Sequence, residues 1–257
     1  MNIHPTAIVH RDAQLGEGVK VGPYSVIGGR VTIGDGTVLD SHAVIDGNTR
    51  IGKDCRFFPF VSVGMVPQDL KYQGEDTLLE IGDRNVVREY ATIHAGTSGG
   101  GGTTRLGNDN FLMAYCHVAH DCLLGNSVVM ANGATLAGHV DVDDFATLSA
   151  FSGVHQYCRV GRHGYIGGYS VVTQDAVPFV LTVGNRARTY GINVIGLRRR
   201  NFPPATVEAL QDAYRTLFKK KIPFRKAMEE VETKHKGIAE VEYLLGFIQS
   251  SRRGVIR

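Results

Sequence analysis

Residues 106–171 read LGNDNF LMAYCH VAHDCL LGNSVV MANGAT LAGHVD VDDFAT LSAFSG VHQYCR VGRHGY IGGYSV, and every six-residue block opens on a large apolar residue. Toward the amino terminus the same beat runs through Ile3, Val9, Leu15, Val21, Ile27, Ile33, Leu39, Ile45, Ile51, Phe57 and Val63, and it returns at Ile81, Val87 and Ile93. A helix repeats every 3.6 residues and an ordinary strand every two, so neither explains a strict period of six. A parallel β-helix does: each hexad forms one flat wall of a prism, with its first residue turned inward. Three hexads close one coil, which stacks residues 18 apart at about 4.8 Å, the spacing of hydrogen-bonded strands.

Two further columns support this reading. The second hexad position is usually glycine (Gly16, Gly22, Gly34, Gly52, Gly82, Gly107, Gly125, Gly161), which would suit corners that need conformations a Cβ forbids. The fifth position is small and suits a shallower inward site. All four cysteines, Cys55, Cys116, Cys122 and Cys158, fall on it, and they read as small buried hydrophobes of a reducing compartment rather than as a disulfide, zinc or nucleophile set. The amino-terminal MNIHPTAIVH lacks a basic segment followed by an apolar run, and no apolar stretch approaches the about 20 residues that span a bilayer. A soluble, cytosolic protein is expected.

The repeat stops at Pro178. Pro203-Pro204 with Thr206–Lys221, then Phe224–Lys234 and Ile238–Ser250, read as helices capping an otherwise open stack of sheet edges. The chain thus divides into a β-helix over 1–190 and a helical unit over 191–257, a mainly β fold with an α-helical cap. Charge divides with it: from Arg186 onward there are 16 basic and 7 acidic residues, a net +9 against −6 for the rest. A solvated helical face is the common fate of such charge; the functional alternative is a dock for a phosphate or an acidic protein. No nucleic-acid motif accompanies the basic end.

Insertions in a repeat fold settle on loops and carry function. The beat is broken at 65–80, which holds Gln68-Asp69-Leu70-Lys71-Tyr72, and at 95–105, which holds the glycine run after Ser98. That run lacks the spacing and lysine of a phosphate loop, and it reads as a flexible loop before a ligand contact.

The period also makes the histidines interpretable. His120, Gly138 and Gln156 stand 18 apart, Asp121, His139 and Tyr157 form the adjacent column, and His117 and His155 lie close by. Three chemistries fit this polar cluster. An imidazole base could take a hydroxyl proton, with Asp121 steadying it and the Gly138 N–H facing an oxyanion. His117, His120 and His139 could instead hold zinc. Corner histidines could also be merely hydrogen-bonded wall residues.

The prism, QDLKY, IGDRN, TIHAGT, HVAHDC, LAGHV, VHQYC, GNRA and the terminal RRGVIR together resemble the UDP-N-acetylglucosamine acyltransferase family over essentially the whole chain. The resemblance implies a left-handed β-helix, against the usual right-handed crossover. It also implies a homotrimer with sites between neighbouring prisms, and transfer of a 3-hydroxyacyl group from acyl carrier protein to the 3-hydroxyl of UDP-N-acetylglucosamine, the first step of lipid A biosynthesis. No metal or cofactor is implied beyond the carrier's own phosphopantetheine. By position, His120 matches the base, Asp121 its carboxylate and Gly138 the oxyanion donor. Asp69 and Lys71 match sugar and diphosphate contacts, while His117, His139, His155 and Gln156 match contacts around the sugar nucleotide. Asn193, Arg199 and Arg200 match nucleotide-side contacts, and Gly168 matches the position that sets acyl length. Ile195 and Arg186 depart from the family's usual glutamate and histidine. An N-acyltransferase for a 3-amino sugar nucleotide and a zinc carbonic anhydrase of the same fold are the rival expectations.

Overall fold

The computed structural model describes residues 2–257, and the hexads build three parallel walls. Wall one holds eleven strands from Asn2–Ile3 onward, wall two nine from Ile8–Val9, and wall three eight from Gln14–Leu15. The register follows the period: Asn2 pairs with Lys20 and Gln14 with Thr32. Large first-position residues fill the interior, Ile27, Ile45, Leu112, Met130 and Ile166 among them, all at 1% exposure or less. Burying each such side chain contributes about 1.5–3 kcal/mol relative to leaving it in water. The small fifth column is buried too, with Ala43, Ala134 and Ala146 beside the four free cysteines. Burial pushes the Cys116 and Cys122 thiols up to about 12, which leaves them protonated and unreactive.

The second-position glycines serve a different purpose from the one expected. None of those eight has a positive φ; instead, a Cβ at Gly34 would lie 2.7 Å from the backbone of Gly52 on the next coil. Close stacking therefore requires them. The left-handed conformation falls on the fourth position, where it is carried largely by residues with side chains, including Tyr24 (φ 57°), Tyr90 (58°), Asp121 (59°), His139 (61°) and Tyr157 (62°). Each such residue costs about 1–2 kcal/mol, and stacking of like side chains on successive corners offsets it. On the corner between walls one and two, Phe60, Tyr90 and Tyr115 stack at 5.0 Å with planes 3° and 4° apart.

Both insertions are shorter than their sequence breaks. Strands Ser62–Met65 and Leu78–Ile81 bracket the first at residues 66–77; Thr92–His94 and Thr103–Leu106 bracket the second at residues 95–102. Ile51 pairs with Ile81 and Ile81 with Leu106, so the loops add twelve and seven residues to an 18-residue coil without disturbing the wall. Both leave at the corner between walls two and three, on consecutive coils.

The top of wall one ends in a hairpin absent from the sequence reading: Val180–Val183 pairs antiparallel with Arg188–Ile192. The boundary drawn at 190 cuts that second strand, so the helical unit starts after Ile192. It comprises α1 (Val194–Arg199), α2 (Pro204–Phe218), α3 (Phe224–Lys234) and α4 (Ala239–Gln249). Proline opens α2 where its missing N–H is harmless, and Glu240 and Glu242 sit in the first turn of α4. Short α1 was missed because its cap, Asn193, and its glycine, Gly196, look like loop chemistry. The cap is stapled to wall three: Arg159 bonds Asp175 (3.1 Å) and the Phe247 carbonyl (2.8 Å), and Tyr243 bonds Asp143. The tail then returns to the prism, where Val255 bridges Asp175 and Ile256 joins the solenoid core. Among the described residues, no helix is long and apolar enough to cross a membrane.

Two histidines are deeply enclosed, His94 at 5% exposure and His163 at 7%, and burial above all pushes each down to about 4. Between that value and about 6.5 the unfolded chain binds protons the folded chain refuses, so stability rises with pH across this window. Acidification from pH 7 to 5 should therefore remove about 2 kcal/mol per histidine. A urea midpoint that falls between those pH values is expected; equal midpoints would contradict the assignment.

Candidate active site

The corner between walls two and three carries the site. His120 occupies the third position of its hexad and Asp121 the fourth, so the left-handed backbone at Asp121 turns its side chain along the corner rather than into the dry core. His120 Nδ1 lies 2.8 Å from Asp121 Oδ2. The Asp121 carboxylate is itself fully buried, and it accepts the Thr97 N–H at 2.8 Å and the Thr97 hydroxyl at 2.6 Å. The Asp121 N–H donates to Thr104 Oγ1 at 2.7 Å. A carboxylate so supplied with donors holds the imidazole proton on Nδ1. That leaves Nε2 unprotonated in the neutral ring, and among the described residues Nε2 has no partner. His120 keeps 13% of its side chain exposed, enough for a hydroxyl to reach it.

One coil higher, Gly138 lies against the ring: a Cβ there would sit 2.5 Å from His120 Cε1 and 2.7 Å from Nε2. Its φ is not positive, so the need for glycine is spatial. Third-position N–H groups fall outside the wall ladder, and the Gly138 N–H has no acceptor among the described residues. An imidazole nitrogen and a backbone N–H, each without a partner among the described residues, thus lie on adjoining coils of one corner.

His139 stacks on Tyr157 (4.3 Å, 6°), stands edge-on to His120 (5.0 Å), and lies 3.8 Å from Asp121. Burial holds it below the usual histidine range, against the pull of Asp121. His117 is held low by burial as well; its Nδ1 bonds Thr92 Oγ1 at 2.7 Å and its ring meets His94 edge-on. Both are neutral hydrogen-bonding groups at neutral pH. His155 and Gln156 are exposed one coil above Gly138. Asp69 comes close enough for its charge to act on His139, and its carboxylate accepts the Lys71 N–H at 3.0 Å. The first insertion therefore reaches the same corner.

The three-histidine zinc set is not assembled. The group close enough to share an ion is His120, Asp121 and His139, with His117 outside it. Within that group Asp121 already accepts three donors, an arrangement that serves a base better than a metal.

Four predicted residues lie elsewhere in the chain. Gly168 is on the corner between walls one and two, beside exposed Tyr169; a Cβ there would meet only the Ala150 carbonyl, at 3.4 Å. Asn193, Arg199 and Arg200 are at the third corner, under the cap. Asn193 Oδ1 caps α1 through the Gly196 N–H (3.1 Å) and its Nδ2 donates to the His163 carbonyl (3.1 Å), which leaves one donor and one acceptor free. Arg200 lies 4.6 Å over the Phe145 ring, and Arg199 is exposed. Ile195, also exposed, offers a ligand no hydrogen bond.

Thr97, Gly100 and Thr104 were missed. The glycine run is neither a free loop nor a phosphate cradle. Ser98–Gly100 is a 3-10 turn in which Gly100 lies so close over the Asp121 carboxylate that a Cβ would collide with it. Gly101 (φ 95°) and Gly102 (φ 80°) then return the chain to the wall. The available signal was that the break falls one coil below HVAHDC on the same corner.

Comparisons agree with this geometry. A family profile described as "Udp N-acetylglucosamine O-acyltransferase; Domain 2" matches residues 175–256, and one described as "Bacterial transferase hexapeptide (six repeats)" matches residues 12–47 and 103–138. An acyl-[acyl-carrier-protein]–UDP-N-acetylglucosamine O-acyltransferase of Janthinobacterium sp. is 49% identical over 259 residues, covering 99% of both chains. Its namesake from Alkalilimnicola ehrlichii is 50% identical over 255 residues with the same coverage. Among solved structures, the Moraxella catarrhalis UDP-N-acetylglucosamine O-acyltransferase superposes with a TM-score of 0.96 at 40% identity over 100% of each chain. The Arabidopsis UDP-N-acetylglucosamine acyltransferase gives 0.86 at 34% identity, covering 99% of this chain and 100% of its own. Mirror-image coils would not superpose so closely, and the solenoid is left-handed. Matched along its full length in sequence and in fold, the chain belongs to the UDP-N-acetylglucosamine O-acyltransferase family.

Proposed function

We propose that this chain transfers a 3-hydroxyacyl group from acyl carrier protein to the 3-hydroxyl of UDP-N-acetylglucosamine, the opening step of lipid A biosynthesis. The observation that carries the chemistry is the His120 ring, bonded to the buried Asp121 carboxylate and lying against Gly138, whose N–H has no acceptor among the described residues. His120 Nε2 takes the proton of the sugar hydroxyl as its oxygen attacks the thioester carbonyl. The carbonyl electrons pass to oxygen, and that oxyanion accepts the Gly138 N–H. Collapse breaks the carbon–sulfur bond, and the imidazolium returns its proton to the departing thiol. Asp121 favours the charged ring throughout and holds its tautomer. No step requires a metal or a cofactor other than the carrier's phosphopantetheine arm.

Asp69, Lys71, His117, His139, His155 and Gln156 surround this point and suit the sugar and diphosphate. Asn193, Arg199 and Arg200 sit on one of the other corners and Gly168 on the remaining one, so a single copy cannot gather the whole set. A homotrimer, each prism offering its catalytic corner to a neighbour's cap, reconciles the positions. The exposed ladder of Tyr24, Phe60, Tyr90 and Tyr115 is an apolar stripe that association would cover. Four unpaired buried cysteines suit the cytoplasm, where carrier and nucleotide are found. The basic end from Arg186 suits an acidic carrier rather than nucleic acid.

The relatives' names favour the hydroxyl acceptor over a 3-amino sugar. One incubation tests this: a series of 3-hydroxyacyl-carrier thioesters with UDP-N-acetylglucosamine and with its 3-amino analogue. Ester formation at the 3-oxygen is expected, with long chains accepted because residue 168 carries no side chain to obstruct them; faster acylation of the amine would overturn the acceptor assignment. Lys71 is exposed and makes no ion pair among the described residues. Lys71→Ala should therefore raise the sugar-nucleotide KM about tenfold while leaving Tm unchanged, and an unchanged KM would remove Lys71 from the site.

A further inference from the structure

The two breaks in the hexad beat are joined to each other, and through that joint to the catalytic pair. Glu75, near the end of the first insertion, accepts the Ser98 hydroxyl at 3.0 Å on one carboxylate oxygen and the Gln73 N–H at 3.0 Å on the other. Ser98 directly follows Thr97, whose N–H and hydroxyl both hold Asp121. On its other side Glu75 closes the loop that carries Asp69 and Lys71: its carbonyl accepts the Tyr72 hydroxyl at 3.0 Å, and the Tyr72 N–H donates to the Asp69 carbonyl at 3.0 Å. Asp76 anchors the same loop to Arg30 at 2.6 Å, and the Leu78 N–H meets the Gly102 carbonyl at 2.8 Å. Hydrogen bonds from its own backbone N–H and that of Gln73 hold the Glu75 carboxyl below the usual range, so it accepts as an anion.

We infer that Glu75 and Ser98 are positioning residues that register the sugar-binding loop against the base, so that the hydroxyl held by Asp69 and Lys71 is delivered to His120 Nε2. Neither residue touches the reacting atoms. Their contact fixes the offset between two loops of twelve and seven added residues, which the wall ladder leaves free because both lie outside it. Small offsets are expensive in such a site, since about 1 Å of misplacement can cost two orders of magnitude in rate. This inference rests on the acceptor proposed above.

Steady-state kinetics of the full chain test it, with Glu75→Ala, Ser98→Ala, the double variant, and Ser98→Thr as the conservative control. Each alanine variant should raise the UDP-N-acetylglucosamine KM and lower kcat, each by about fivefold, while the carrier KM and Tm stay at wild-type values. The double variant should be no worse than either single one, because both remove the same contact, and Ser98→Thr should restore the rate. Additive losses, unchanged acceptor kinetics, or losses that track a falling Tm would overturn the inference. A wild-type chain that fails to acylate UDP-N-acetylglucosamine would instead defeat the acceptor reading, so the two failures are distinct.

Discussion

Replacing His120 by alanine is expected to lower kcat by about three orders of magnitude, the middle of the range for loss of a positioned proton acceptor. His117 and His139 offer no substitute. The first has its Nδ1 tied to Thr92, and the second is 3.8 Å from the carboxylate that would have to orient it. The fold should survive, because His120 lies on a corner and keeps 13% exposure while Ala119 and Cys122 beside it remain packed. Turnover measured alongside circular dichroism and sedimentation separates chemistry from folding. A variant with near-normal rates would show that the proton leaves by another route.

The second large effect is expected from the smallest change, Gly138→Ala. The variant keeps the backbone N–H, so any loss reports on the imidazole rather than on the oxyanion donor. The added methyl would need the space of His120 Cε1, 2.5 Å away, while Asp121 holds the neighbouring ring nitrogen, Nδ1, at 2.8 Å. The ring must swing outward, and a loss of about a hundredfold in kcat/KM follows from a shift near 1 Å. Alanine is compatible with the Gly138 backbone, so Tm should change little. Wild-type activity in this variant would mean that the ring does not work from the position seen here. A fall in Tm matching the loss of activity would assign the glycine to stacking alone, like Gly34 and its column.

Much of this was legible in the sequence, and the reason is geometric. An exact period turns sequence distance into spatial adjacency, so counting alone stacks His120, Gly138 and Gln156. The buried cysteines were legible for the same reason. What the period could not supply was the path of the chain wherever it leaves the walls. Thr97 supports Asp121 from an insertion whose offset no hexad count predicts, and Thr104 does so from the strand that follows it. The hairpin at Val180–Ile192 and the turn at α1 obey end-of-stack requirements rather than the repeat. The glycine column was found and misread: six-residue spacing shows that a side chain is excluded but not whether torsion or a neighbouring coil excludes it. Tyr90, Tyr115 and Tyr157 adopt the left-handed conformation that glycine was expected to provide, because stacked rings compensate what the backbone loses. Gly168, Asn193, Arg199 and Arg200 follow from the resemblance alone, and nothing in it tells which corner each occupies within one chain.

The central claim is that adjoining coils hold His120 with its proton on Nδ1, toward Asp121, and its lone pair on Nε2. Nitrogen NMR of the chain with ring-labelled histidine, assigned by comparison with His120→Ala, reads this directly. The neutral ring should show a protonated Nδ1 and a bare Nε2, and Asp121→Asn should abolish that preference. A His120 ring protonated on Nε2 in the unaltered chain would contradict the mechanism, because the nitrogen facing the substrate would have no lone pair to accept its proton.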